Sequence, residues 1–155
     1  MNDENAMAMP QKVGEVTKPM VPEGTVEELL ERVYGLKVVK VKSLNSYDDC
    51  NYAITVDENY DNKYIKQLWP HGYLLKIVNT MDSKRPKMHE ALNLVMDYVR
   101  KRDVPTQEPI PGKNGEVISY QKIYNKKGHH VDFDPVSSSV YFSPLYIKVV
   151  SDCKP

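Results

Sequence analysis

The segment that most constrains this chain is Gly72-Tyr73-Leu74-Leu75-Lys76-Ile77-Val78-Asn79. It reads as an apolar strand with one lysine embedded in it. Burying an ammonium is costly unless a carboxylate or a phosphate meets it, so any fold that uses this strand must supply such a partner. Upstream lies a polar turn, Asn45-Ser46-Tyr47-Asp48-Asp49, between two short strand-like runs. Downstream lies a helical pattern that contains Glu90.

The other elements are legible around this segment. Residues 1–24 contain prolines and no periodicity, and are expected to be a disordered leader. Thr25-Val26-Glu27-Glu28 has the spacing of a capping box. A short helix should follow it from Val26 to about Tyr34, with Gly35 as its left-handed terminator. Val39 and Val41 alternate with Lys40 and Lys42, as in a half-buried strand. Tyr52, Ile54 and Val56 make its antiparallel partner. Residues 57–71 are polar and longer than a hairpin needs, which predicts a surface insertion. Leu74 to Val78 is the third strand. Pro86 suits a helix start. Met88, Leu92, Val95, Met96 and Val99 then recur at helical spacing to about Arg102. Pro111-Gly112-Lys113-Asn114-Gly115 is a turn signal between two further short strands. From Tyr120 to Pro155 the texture changes to a divergent tail, β-rich or disordered, that holds both phenylalanines.

Composition removes several function classes. Lys plus Arg and Asp plus Glu both total 21, so the net charge is zero and the basic excess of a nucleic-acid binder is missing. Two cysteines, Cys50 and Cys153, make neither a disulfide framework nor a metal-ligand spacing. No apolar run approaches the roughly 20 residues that would span a bilayer. The residues before Pro10 are polar and acidic rather than signal-like. The expectation is a cytoplasmic protein with no membrane or nucleic-acid partner.

The segments Gly35-Leu36-Lys37-Val38, Ser46-Tyr47-Asp48-Asp49-Cys50-Asn51 and Tyr73-Leu74-Leu75-Lys76-Ile77-Val78-Asn79-Thr80, with the helix bearing Glu90, stand in a telling order. Together they resemble the N-terminal lobe of the hydroxylysine kinases, which belong to the aminoglycoside phosphotransferase and choline kinase group. The resemblance runs over residues 25–119. It implies an α+β, protein-kinase-like small lobe, with an antiparallel sheet of about five strands, one packed helix and an N-terminal helix. It also implies that Lys76 holds nucleotide phosphates. Glu90 pairs with that lysine, and Ser46, Tyr47, Asp48, Asp49 and Asn51 form a turn over the phosphates. The turn has no glycine, so backbone donors and the Ser46 hydroxyl would do the binding. The family reaction transfers a phosphoryl group from GTP (or ATP), with Mg²⁺, to the hydroxyl of 5-hydroxylysine.

Each assignment has a plainer rival. A strand lysine can snorkel to solvent, and Ser46 to Asn51 can be an ordinary hairpin turn. On a helical wheel Glu90 lies opposite the stripe of Met88, Leu92, Val95 and Val99, so it is buried only if the helix covers two faces. Asp132-Phe133-Asp134 lacks the glycine of a kinase magnesium motif, and His71-Gly72-Tyr73 has tyrosine where a catalytic aspartate would stand. His129-His130 point to opposite faces of an extended chain and make no metal site. No catalytic or metal-ligating residue is assigned. The family's acceptor pocket and magnesium ligands lie in a C-terminal lobe, and this chain ends at Pro155. The expectation is therefore a truncated product that is inactive alone and that self-associates through the face the second lobe would cover. The alternative is a non-catalytic interaction module whose tail residues, Tyr141, Phe142, Tyr146, Ile147, Val149 and Val150, pair with an exposed sheet edge or with another chain.

Overall fold

The computed structural model describes residues 18–123 and 136–144. Five strands form one antiparallel sheet: β1 (Leu36–Leu44), β2 (Cys50–Tyr60), β3 (Tyr73–Ile77), β4 (Ser119–Ile123) and β5 (Val136–Pro144). Their spatial order is β1-β2-β3-β5-β4. Helix α1 (Thr25–Leu29) runs directly into a π turn (Leu30–Tyr34), and helix α2 (Pro86–Arg100) follows β3 after a 3₁₀ turn (Asp82–Lys84). This is the expected α+β small-lobe architecture.

Strand alternation sorts β3 into two faces. Tyr73, Leu75 and Ile77 are buried, whereas Leu74 and Lys76 between them are half-buried. The buried side meets Val26, Leu29, Leu30 and Tyr34 of the N-terminal helix in the main apolar cluster. Phe142 of β5 completes that cluster. Its ring stacks on Tyr73 at 4.8 Å between centroids and meets Tyr34 at 4.9 Å, and the residue has no exposed surface. The Tyr34 hydroxyl is buried without a hydrogen-bond partner among the described residues, and burial pushes its pKa far above the usual phenol value. The other face of β3 looks toward α2 across a cleft.

Several local expectations are revised. No capping box forms: the N-cap of α1 is Gly24, in the left-handed region at φ 80°, without a side-chain cap hydrogen bond. Gly35 does terminate the helix in left-handed conformation at φ 65°. It also approaches Asp61 so closely that an added Cβ would strike the Asp61 carbonyl. The stretch 57–71 is not a plain surface insertion, because β2 continues to Tyr60 and the next residues turn inward. Asn62 is 5% exposed, and its amide donates to the carbonyls of Tyr34 (3.1 Å) and Pro111 (3.0 Å). The turn at Pro111–Gly115 forms, but it lies between a loop and β4 rather than between two strands. It is fastened by Lys113 N–H to the Val33 carbonyl at 2.9 Å.

The tail differs most. β4 crosses the boundary drawn at residue 119, and β5 lies between β3 and β4. The tail thus pairs with the sheet edge of β3, one of the two outcomes expected of it, and Phe142 joins the core, while Tyr146, Ile147, Val149 and Val150 lie outside the described residues, as do Asp132-Phe133-Asp134 and His129-His130. Among the described residues, no helix is long and apolar enough to cross a membrane.

Candidate functional site

Lys76 stands in β3 opposite Asn51 of β2 and Tyr141 of β5. Its neighbours on the strand are core residues, so the alternation of the strand sends its side chain to the cleft face. There its ammonium pairs with Asp49 at 2.7 Å, with the Asp49 side chain 15% exposed. The carboxylate that the embedded lysine demands therefore comes from the polar turn between β1 and β2. This corrects the expected Lys76–Glu90 pair. Glu90 is exposed on α2 and lines a separate groove with Asn93, Leu94 and Arg100. The helix does not bury two faces, and His89 is its one buried residue among those described.

The turn is tied down by a residue that sequence reasoning missed. Asn79, just past β3, is 2% exposed. Its side-chain amide donates to Asp49 Oδ1 (3.1 Å), Asp48 Oδ2 (3.3 Å) and Asp82 Oδ2 (2.9 Å). Its backbone N–H also donates to Asp49 Oδ1, at 2.8 Å. Its carbonyl oxygen Oδ1 accepts the N–H groups of Met81 and Asp82 at 3.1 and 2.9 Å, which starts the 3₁₀ turn in the manner of an Asx turn. His89 Nε2 then donates to the Asp82 carbonyl at 2.8 Å, which fixes the proton on that nitrogen. The signal for this hub was the pair Asn79 and Asp82, three apart at the end of a strand.

These contacts decide the charge state of Asp49. Burial alone pushes its carboxyl up, but hydrogen bonds from Lys76 and Asn79 and the Lys76 charge outweigh that, and its pKa falls below the ordinary carboxylate value. Asp49 is therefore an anion held in place by one cation and two amide donors.

The remaining expected residues divide. Ser46 sits at the far end of the turn, where its hydroxyl donates to the Asp49 carbonyl at 2.6 Å. Asp48 is half-buried beside Asn79. Asn51 lies next to Lys76 in the ladder, and its Oδ1 is buried without a hydrogen-bond partner among the described residues. Tyr47 is 97% exposed and touches none of this network. The geometry thus gathers Lys76, Asp49, Asp48 and Ser46, and leaves Glu90 and Tyr47 outside.

Between this network and α2 lies a cavity of about 240 Å³, lined by Asp49, Lys76, Asp82, His89, Met88 and Leu92 among others. Cavities that enclose a whole small-molecule ligand usually run from about 300 to 1,000 Å³. This one is smaller and opens to solvent along one side. Among the described residues no group of three or more His, Cys, Asp or Glu side chains is arranged around a metal position.

An antiparallel sheet whose third strand offers an ion-paired lysine to a cleft, with a polar turn at one side and a helix across it, has the architecture of a kinase-like small lobe. No protein-family model matches the chain, and no solved structure matches it. Curated proteins do match. The hydroxylysine kinase of Xenopus laevis is 35% identical over 106 residues, which is 68% of this chain and 27% of that protein. Those of Mus musculus and Bos taurus are 32% identical over 114 residues (72% of this chain, 28% of that protein) and 33% identical over 104 residues (67% and 27%). Over about seven-tenths of its length the chain is thus hydroxylysine kinase-like, and it spans little more than a quarter of the curated relatives it matches.

Proposed function

We propose that this chain forms the phosphate-binding part of a nucleotide site, in a protein that transfers a phosphoryl group from GTP or ATP to the hydroxyl of 5-hydroxylysine. The observation that carries this reading is the Lys76–Asp49 pair at 2.7 Å on the rim of that cavity. In this reading an incoming phosphate exchanges for the Asp49 carboxylate on the half-exposed Lys76, one anion for another. Asn51 stands beside Lys76 in the ladder, Ser46 and Asp48 hold the turn in shape, and Glu90 lines a different groove. Magnesium would arrive with the nucleotide phosphates. Similarity to hydroxylysine kinases supports the class of reaction.

The test is titration of the chain with GTP·Mg²⁺, with and without Lys76→Met. Loss of a charge-assisted phosphate contact should weaken binding by about tenfold or more. Equal affinity of the two proteins would sink the reading. Phosphate transfer to 5-hydroxylysine by the purified chain would separately overturn the expectation that it is inactive alone.

A second reading is favoured by one observation. Leu92, Leu94, Val95 and Tyr98 on α2 are between 50% and 71% exposed. An apolar row of that kind fits a face that meets other protein surface, which agrees with self-association or with a non-catalytic interaction role.

A further inference from the structure

We infer that Lys18 is a second phosphate-contacting cation at the turn, an inference that rests on the phosphate reading of Lys76 and Asp49. Lys18 precedes α1, yet its ammonium donates to the Ser46 carbonyl at 3.0 Å and to Ser46 Oγ at 3.3 Å. It therefore stands at one end of the turn while Lys76 stands at the other, with only Tyr47 and Asp48 between Ser46 and Asp49.

The chain delivers this lysine by a fixed path. Pro19 is buried, and its carbonyl accepts the Cys50 thiol at 3.3 Å. Val21 packs against the main apolar cluster, and the Pro22 carbonyl accepts the Thr25 N–H at 3.2 Å. Residues 18–22 thus form a strap across the β1–β2 hairpin, with Lys18 at its outer end.

Charge pairing sets Lys18 apart from Lys76. The Lys76 ammonium already has a carboxylate, and both Asp48 and Asp49 are turned toward Asn79. None of the ion pairs among the described residues involves Lys18, whose acceptors are a neutral carbonyl and a neutral hydroxyl. Exchanging those neutral acceptors for phosphate oxygens turns ion–dipole contacts into pairs of opposite charge, which bind more strongly. The Ser46 hydroxyl cannot take that place as the turn stands, because its one proton is given to the Asp49 carbonyl. The turn has no glycine to bring its backbone close to phosphate, and the Lys18 ammonium stands where such a donor would be needed.

The experiment is titration of the full 155-residue chain with GTP·Mg²⁺ and with GMP, followed by amide shifts, for wild type, Lys18→Gln, Lys18→Arg and Lys76→Met. Lys18→Gln should weaken GTP by about tenfold and GMP by less, and Lys18→Arg should restore most of the GTP affinity. A strap that merely holds the turn would weaken both nucleotides equally, and that result overturns the inference, as does unchanged GTP affinity in Lys18→Gln when Lys76→Met loses it. Unchanged affinity in both single variants, or no GTP binding by wild type, overturns the phosphate site itself. Thermal melts of Lys18→Gln against wild type separate a folding defect from a binding defect, and Lys18→Arg keeps the question open to decision if Lys18→Gln unfolds.

Discussion

At Asp49 burial and pairing oppose each other, and pairing wins, so the carboxyl ionises below its unfolded value. In the pH range between the two values the unfolded chain binds the proton and the folded chain does not. Stability from Asp49 is therefore fully present above about pH 4, the unfolded aspartate value, and is lost as pH falls through the folded value. Asp49→Asn keeps an oxygen for the Asn79 N–H and removes the titration. Urea unfolding between pH 7 and pH 3 should show wild type losing more stability than Asp49→Asn. Asp57 and Asp97, whose carboxyls are also lowered by hydrogen bonds, are common to both proteins and cancel in the comparison. Parallel curves would show that the Lys76 contact contributes nothing.

Among the elements, β5 carries the clearest prediction. Phe142 fills the space between Tyr73 and Tyr34, so Phe142→Ala should cost about 3–5 kcal/mol in chemical denaturation, as for other buried aromatics. A cost near zero would mean that the tail strand is not part of the sheet. Strands β2 and β3 and helix α2 were legible because each carries its own period, two or 3.6, in its apolar residues; β1 was legible as a strand, but Val39, read as inward with Val41, is 65% exposed because register shifts around Val38 break the alternation. β5 was legible only in part: the tail reads as β-rich from Val140 on, but Ser137-Ser138-Ser139 has no apolar alternation and its strand conformation is imposed by β3 and β4 on either side. The demand of Lys76 for a carboxylate was equally legible, yet its source was not. Asp49 is 27 residues earlier, and only the pairing register of β2 on β3 brings the turn back over the lysine. The capping box failed for a related reason: Gly24, already left-handed, takes the N-cap one residue before Thr25.

Taken whole, the molecule has two unequal sides. The side under α1 is a closed core, whereas α2 covers the opposite face of the sheet loosely and shows its own apolar residues to solvent. Leu94, 71% exposed, should accept Leu94→Glu with a stability change within about 0.5 kcal/mol. Sedimentation velocity should at the same time show wild type associating as concentration rises and the variant remaining smaller. Identical sedimentation of the two would remove this face as a contact surface.

The placing of β5 between β3 and β4 also sets an order of events during synthesis. When the ribosome has released β1, β2 and β3, the lysine-bearing strand is paired on one edge only, and its other edge waits for residues 136–144. Neither the aromatic cluster nor the sheet can close until residues 136–144 emerge. A nascent chain paused after β4 offers an unpaired, largely apolar strand to whatever is nearby. The lobe therefore closes only once residues 136–144 are available, and until then its yield depends on protection of the open β3 edge.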